Sequence, residues 1–383
     1  MKKNYLEFIR GMAALFVVVF HYLVLHSLKT GTHSLFKRGG VDSVMIFFIL
    51  SGCVINMTQT LKPKTIFVFL RNRILRIYPE FVVGLLLGII VILLVHETMP
   101  PFSTLVGNLF MVSTDDALIV QTIPTNAPLW SLTYEMFFYI IFALGIGRFH
   151  KKFMTLWLLI ALLMFIPYYQ FDIGKNIVEY FIKILSFSTL WLIGYYIFEY
   201  RKLFYSDLYT VVFCVGLLPL ISRAHLTEQY SDPLKYLIFA LTAVPVFRYC
   251  LQEPAEGKKI KWIYLLPVYL IFGIMIFRNS DSGFTSKIIF ALLPWALLLF
   301  IFLLDRLNLK KAFKKFIQGS GSITGKYSYA VYITHFPILV LCSYYISNLY
   351  FYLIVSLFSI LIFSYLLESV FQPAIVKLFK RTV

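Results

Sequence analysis

The chain has 383 residues, of which 60% are hydrophobic and only 14% charged, and its formal net charge is +17. A soluble globule of this size is near half apolar and a quarter charged, so this composition excludes a soluble enzyme. In lipid only helices and closed barrels satisfy the backbone, and unbroken apolar runs of about 20 residues select helices.

The expected fold is an all-α polytopic transmembrane bundle of about ten to twelve spans. The candidate spans are 7–28, 42–60, 77–95, 129–147, 153–170, 184–200, 207–222, 236–250, 262–277, 288–304, 327–346 and 349–371. With the N-terminus in the cytoplasm, the cytoplasmic segments collect most of the 35 Lys and Arg. The outer connection from His96 to Pro128 has no Lys or Arg and carries Asp115 and Asp116. The positive-inside rule then puts both termini in the cytoplasm. No polar segment is long enough to stand alone. Residues 1–383 read as one integral-membrane domain without an appended soluble domain, its motif-bearing core at about 5–345. The first apolar stretch is too long and too polar for a cleaved signal and reads as a retained helix.

Arg10 and His21 lie eleven residues apart in the first span. Eleven helical residues make about three turns, so both side chains share a face, Arg10 about 16 Å below His21. Charged groups at membrane depth are costly and mark sites or pathways. Gly52 of FFILSGCVI, in the second span, and the Gly39-Gly40 pair suit a close helix approach or a turn. Arg71, Arg73 and Arg76 of RNRILRIYP stand at the cytoplasmic entry of the third span. Arg73 and Arg76 share a face at i, i+3. Two guanidiniums there suit a phosphate group, or serve only as a positive-inside anchor.

The fourth span carries PLWSLTYEMFFYI, with Ser131, Tyr134 and Glu135. Counted from the outer end, Glu135 is expected at the depth of His21, where a carboxylate can orient an imidazole. A buried structural hydrogen bond is the alternative. In the eleventh span, Ser328, Tyr332 and His335 of SYAVYITHFPI lie close on one helical face. A packing histidine is the alternative there. His26, His33, His96, His150 and His225 receive no role. Cys53, Cys214, Cys250 and Cys342 fall in or at the ends of apolar runs and read as small core residues. No Walker loop, dinucleotide fingerprint or zinc motif is present, so neither a metal nor a nucleic-acid partner is expected.

Five segments, FIRGMAALFVVVFHY, FFILSGCVI, RNRILRIYP, PLWSLTYEMFFY and SYAVYITHFPI, together resemble the acyltransferase-3 family of integral-membrane acyltransferases, in the family's order. The resemblance implies transfer of an acyl group, commonly acetyl from acetyl-CoA, to cell-surface sugars such as O-antigen, capsule or exopolysaccharide, in the bacterial inner membrane. It assigns Arg10 and His21 to the family's paired motif and Arg73 and Arg76 to its basic motif. Glu135 and His335 fall in its later motifs. Many members have an acidic residue just before the Phe-Phe pair. Here that place is held by Met45, and Asp42 comes slightly too early.

On that resemblance His21, Glu135 and Arg10 are the expected catalytic residues, and Arg73, Arg76 and Arg10 the donor-binding ones. Ser131, Tyr134 and His335 are expected on the acceptor, a cell-surface or lipid-linked glycan. Membrane lipid surrounds the chain; its oligomeric state is open. The competing expectation is a twelve-helix proton-coupled secondary transporter, for which charges at membrane depth also speak. No obvious repeat relates the two halves, as such a carrier would show.

Overall fold

The computed structural model describes residues 4–30, 39–114, 119–147, 149–170, 176–224, 232–251, 257–278, 280 and 283–381. Asp115, Asp116, His33 and His225 lie outside them. In chain order come α1 (Asn4–Thr30), α2 (Gly39–Leu61), α3 (Ile66–Leu94) and α4 (Phe102–Leu109). Two short strands follow, β1 (Ser113–Thr114) and β2 (Val120–Gln121), then a 3-10 helix (Pro124–Leu129) that runs into α5 (Trp130–Leu144). Next are α6 (His150–Leu163), α7 (Phe165–Gln170), α8 (Ile177–Glu199), β3 (Phe204–Ser206), α9 (Leu208–Arg223) and α10 (Pro233–Leu251). The chain closes with β4 (Lys258–Ile260), α11 (Leu266–Arg278), α12 (Phe284–Arg306), α13 (Lys310–Tyr345), α14 (Leu349–Leu366) and α15 (Gln372–Arg381). β1 pairs with β2 and β3 with β4, both parallel.

Among the described residues, 9 helices are long and apolar enough to cross a membrane, and Leu208–Arg223 and Trp262–Arg278 are shorter apolar helices. The expected span 327–346 is the C-terminal part of the 36-residue α13, whose other end carries the lysines. Every expected span falls on a helix, and the protein is an all-α multi-pass bundle. The third begins earlier than expected, at Ile66, so Arg71, Arg73 and Arg76 are helical residues and not part of a loop.

The chain divides into two compact units. The first comprises Met1–Ala13, Leu35–Lys62 and Thr189–Gly325. Here α2 and α8 cross at Gly52 and Gly194. A Cβ on Gly52 would lie 1.9 Å from the Trp191 carbonyl oxygen, and one on Gly194 1.9 Å from that of Ile49. Only glycine permits backbones this close. Trp191 donates to Ser51, and Asn56 to the Tyr195 carbonyl, pinning the crossing. Asp42 accepts from Ser222 and, at 3.4 Å, from Tyr236, with Arg223 3.9 Å away. Met45 is fully buried.

The second unit comprises Ala14–Ser34, Pro63–Ser188 and Lys326–Val383. Its centre is α3, against which the 3-10 helix packs. Polar backbone at membrane depth is tolerated only inside protein, and this segment meets that condition. Asn126 is fully buried, in a non-helical conformation (φ −144°, ψ 45°). Its side chain donates to the carbonyls of Gly84 (2.9 Å) and Ile333 (3.2 Å), and Thr125 donates to that of Gly88 (2.6 Å). Gly84 and Gly88 leave the room: a Cβ on Gly84 would meet Ile333 Cγ2 at 2.3 Å. The expected polar outer connection is therefore partly core. At the other end of α3, Gln372 donates to the Leu75 carbonyl and Arg71 to that of Phe379, tying α15 down.

Candidate functional site

The second unit gathers most of the expected site residues. His21 of α1 meets His335 of α13, with Nδ1 and Nε2 3.0 Å apart. His335 is fully buried, whereas His21 is half-buried, its ring edged by Phe20 and Phe336. Hydrogen-bond partners fix both tautomers. His335 Nδ1 lies 2.8 Å from the Tyr332 carbonyl oxygen, which only accepts, so Nδ1 carries the proton and Nε2 of the neutral ring holds a lone pair. His21 Nδ1 faces that lone pair and, at 3.0 Å, the Val17 carbonyl oxygen. Both neighbours accept, so the His21 proton also sits on Nδ1. The lone pair of His21 is left on Nε2, which has no protein partner among the described residues.

Tyr332 is anchored in turn. Its hydroxyl donates to the Pro128 carbonyl at 2.5 Å, so Ser131, 2.7 Å from it, donates to Tyr332. Ser131 is thus bonded inside the protein. Tyr134 is fully buried, packed edge-on against Trp130 and Phe187, in the position of a core side chain.

Glu135 does not meet His21. Its carboxylate accepts from the Tyr139 hydroxyl, and it acts electrostatically on Tyr329 and Tyr332. The apolar span that includes α5 runs from Pro124 to Leu144 and so starts ahead of the expected 129.

Toward the N-terminal end of α3 the two arginines diverge. Arg76 is spent: Nη1 lies 3.2 Å from Glu80 and Nη2 2.9 Å from Glu368, and its guanidinium sits over the Tyr329 ring. Glu80 is fully buried, and Arg76 is a hydrogen-bonding partner of its carboxyl group. Arg73 has its guanidinium 5.7 Å from the Phe69 ring centre and 5.8 Å from that of Tyr139, and its buried Nε has no hydrogen-bond partner. Among the described residues no carboxylate pairs with it. Arg73, Tyr139 and Glu135 form one connected group, which the sequence did not join; the i, i+4 spacing of Glu135 and Tyr139 was its signal. Arg10 belongs to the first unit and pairs with Glu7 at 2.8 Å. The four cysteines are buried and free, and no group of three metal-ligating side chains occurs among the described residues.

The profile of the acyltransferase-3 family, an acyltransferase domain, matches residues 3–369, nearly the whole chain. No curated protein and no solved structure matches it.

Proposed function

Because the chain belongs to the acyltransferase-3 family and is a multi-pass membrane acyltransferase, we propose that it is an O-acyltransferase of the bacterial cytoplasmic membrane. The donor is cytosolic acetyl-CoA. The acceptor is a hydroxyl of a cell-surface or lipid-linked glycan such as O-antigen, capsule or exopolysaccharide. The observation that carries this reading is the half-buried His21, whose Nε2 lone pair is open while Nδ1 is held by two acceptors. A general base needs that arrangement: a fixed ring, a defined tautomer and one free nitrogen.

His21 takes the acceptor hydroxyl proton on Nε2 as the oxygen attacks the acyl carbonyl carbon. The C–O bond forms, the C–S bond breaks, and His21 returns the proton to the leaving thiolate. Arg73 binds donor phosphate. A buried Nε without a partner and a guanidinium without a carboxylate fit a group that supplies both oxygens and negative charge. Arg76, already engaged by Glu80 and Glu368, holds α3 against the segment that carries Glu368. Arg10 is retained as a donor contact on the family likeness of its spacing to His21. A proton-coupled carrier draws no support from the family match.

Mass spectrometry of surface glycan from cells with and without this chain tests the reading. An acetyl increment present only with the chain is expected; identical glycan in both, with the chain produced in the membrane, overturns it.

A further inference from the structure

We infer that His335 is the positioning residue for the acyl-transfer base and does not bind the acceptor. This rests on the reading of His21 as that base. Both ring nitrogens of His335 are engaged by protein: Nδ1 by the Tyr332 carbonyl at 2.8 Å and Nε2 by His21 at 3.0 Å. The ring is fully buried, so it offers an acceptor sugar no donor and no surface. It offers His21 a lone pair aimed at Nδ1. When His21 takes the hydroxyl proton, its ring becomes a cation with protons on both nitrogens. The lone pair of His335 is then the best-placed acceptor for the Nδ1 proton, and a hydrogen bond to a charged donor is roughly twice as strong as a neutral one. His335 therefore favours the charged form of His21 over the resting form, which is what a positioning group must do to raise turnover.

The rest of the fold supports this use of the residue. His335 is held through the Tyr332 backbone, and Tyr332 through Pro128 and Ser131, so α5 braces the ring that braces His21. The Asn126 bond to the Ile333 carbonyl fixes the same turn of α13. Such supporting contacts set how accurately a reactive ring is aimed.

The magnitude is set by Val17. Its carbonyl stays on His21 Nδ1 when His335 is removed, so the tautomer survives and only the stabilisation of the cation is lost. Loss of a general base costs about 10²–10⁴ in rate, and loss of His335 should cost less, about 10–10².

The test compares His335→Leu with His335→Gln in purified, detergent-solubilised protein. The Gln side-chain carbonyl reaches the place of Nε2 and still accepts from His21; Leu fills similar space and accepts nothing. His335→Leu is expected to lower kcat about 10–10²-fold with the KM of both substrates unchanged. His335→Gln is expected to recover most of that loss, at equal thermal stability. A raised acceptor KM with normal kcat, equal impairment of the two variants, or wild-type turnover in His335→Leu each overturns the assignment. An activity-independent arm separates it from the acyltransfer reading. Nitrogen-15 NMR of histidine-labelled protein is expected to find both His21 and His335 protonated on Nδ1. A His335 protonated on Nε2 refutes the pair whether or not transfer is detected.

Discussion

His21 and His335, 314 residues apart in sequence, face each other across 3.0 Å through Nδ1 and Nε2. The contact leaves one basic nitrogen, His21 Nε2, open on a half-buried ring, and the whole functional account depends on it. His21→Ala should therefore reduce acyl transfer by at least about 10²-fold while expression and membrane insertion remain normal. Transfer assayed in membranes, with immunoblots for the amount of protein, checks this. More than half of wild-type transfer would leave His21 as a packing residue.

The two arginines of α3 should separate by phenotype. Arg73→Ala should weaken acetyl-CoA binding, with Arg73→Lys intermediate because Lys keeps the charge but loses the guanidinium fork. Arg76→Ala should instead lower stability by about 1–3 kcal/mol, since it strips the buried Glu80 of a hydrogen-bonding partner. Calorimetric binding and thermal unfolding, run on both variants, distinguish the effects. A donor affinity lowered equally by each would return Arg76 to the donor site.

Glu135 should couple to Arg73 and not to His21. The Tyr139 ring lies beneath the Arg73 guanidinium and its hydroxyl donates to Glu135, so Glu135→Gln loosens the support of Arg73. In double-mutant cycles on donor affinity, Glu135→Gln and Arg73→Ala should show a coupling of about 0.5–3 kcal/mol. Glu135→Gln and His21→Ala should be additive within about 0.5 kcal/mol. The reverse pattern would restore direct orientation of His21 by Glu135.

Asn126→Ala should be the most damaging polar truncation outside the site residues. It removes two buried hydrogen bonds and leaves the Ile333 carbonyl, whose helical donor position is held by Pro337, unpaired, at about 1–3 kcal/mol. Gly84→Val should fail similarly, because a Cβ there already meets Ile333 at 2.3 Å. The thermal midpoint of each purified variant is the readout, and an unchanged midpoint for Asn126→Ala would show that the 3-10 helix does not carry the bundle.

Helices were legible because apolar length is a local property. Gly52 was legible as a close approach, although its partner Gly194 was not, since one glycine names no neighbour. The Arg10–His21 spacing singled out α1. The partner of His21 was missed for two reasons. Depth was counted from Leu129, whereas the apolar span that includes α5 starts at Pro124. A histidine meeting another histidine also leaves no charge pattern to read, whereas a His–Glu pair does. Arg73 and Arg76 share a helix face in sequence, and only the positions of Glu80 and Glu368 reveal that one is occupied and the other is not. The Gly84–Gly88 spacing was a usable small-residue signal that passed unread beside the Arg and His motifs.

The central claim, acyl transfer from a cytosolic thioester through His21, is tested most directly by radiolabel. Membranes from cells producing wild-type or His21→Ala chain are incubated with acetyl-CoA labelled in the acetyl group, and the extracted glycan is counted. The account predicts label in glycan with the wild-type chain and background counts with His21→Ala, at equal amounts of protein. Equal labelling by the two chains, or none by the wild type on glycan from its own host, would contradict it.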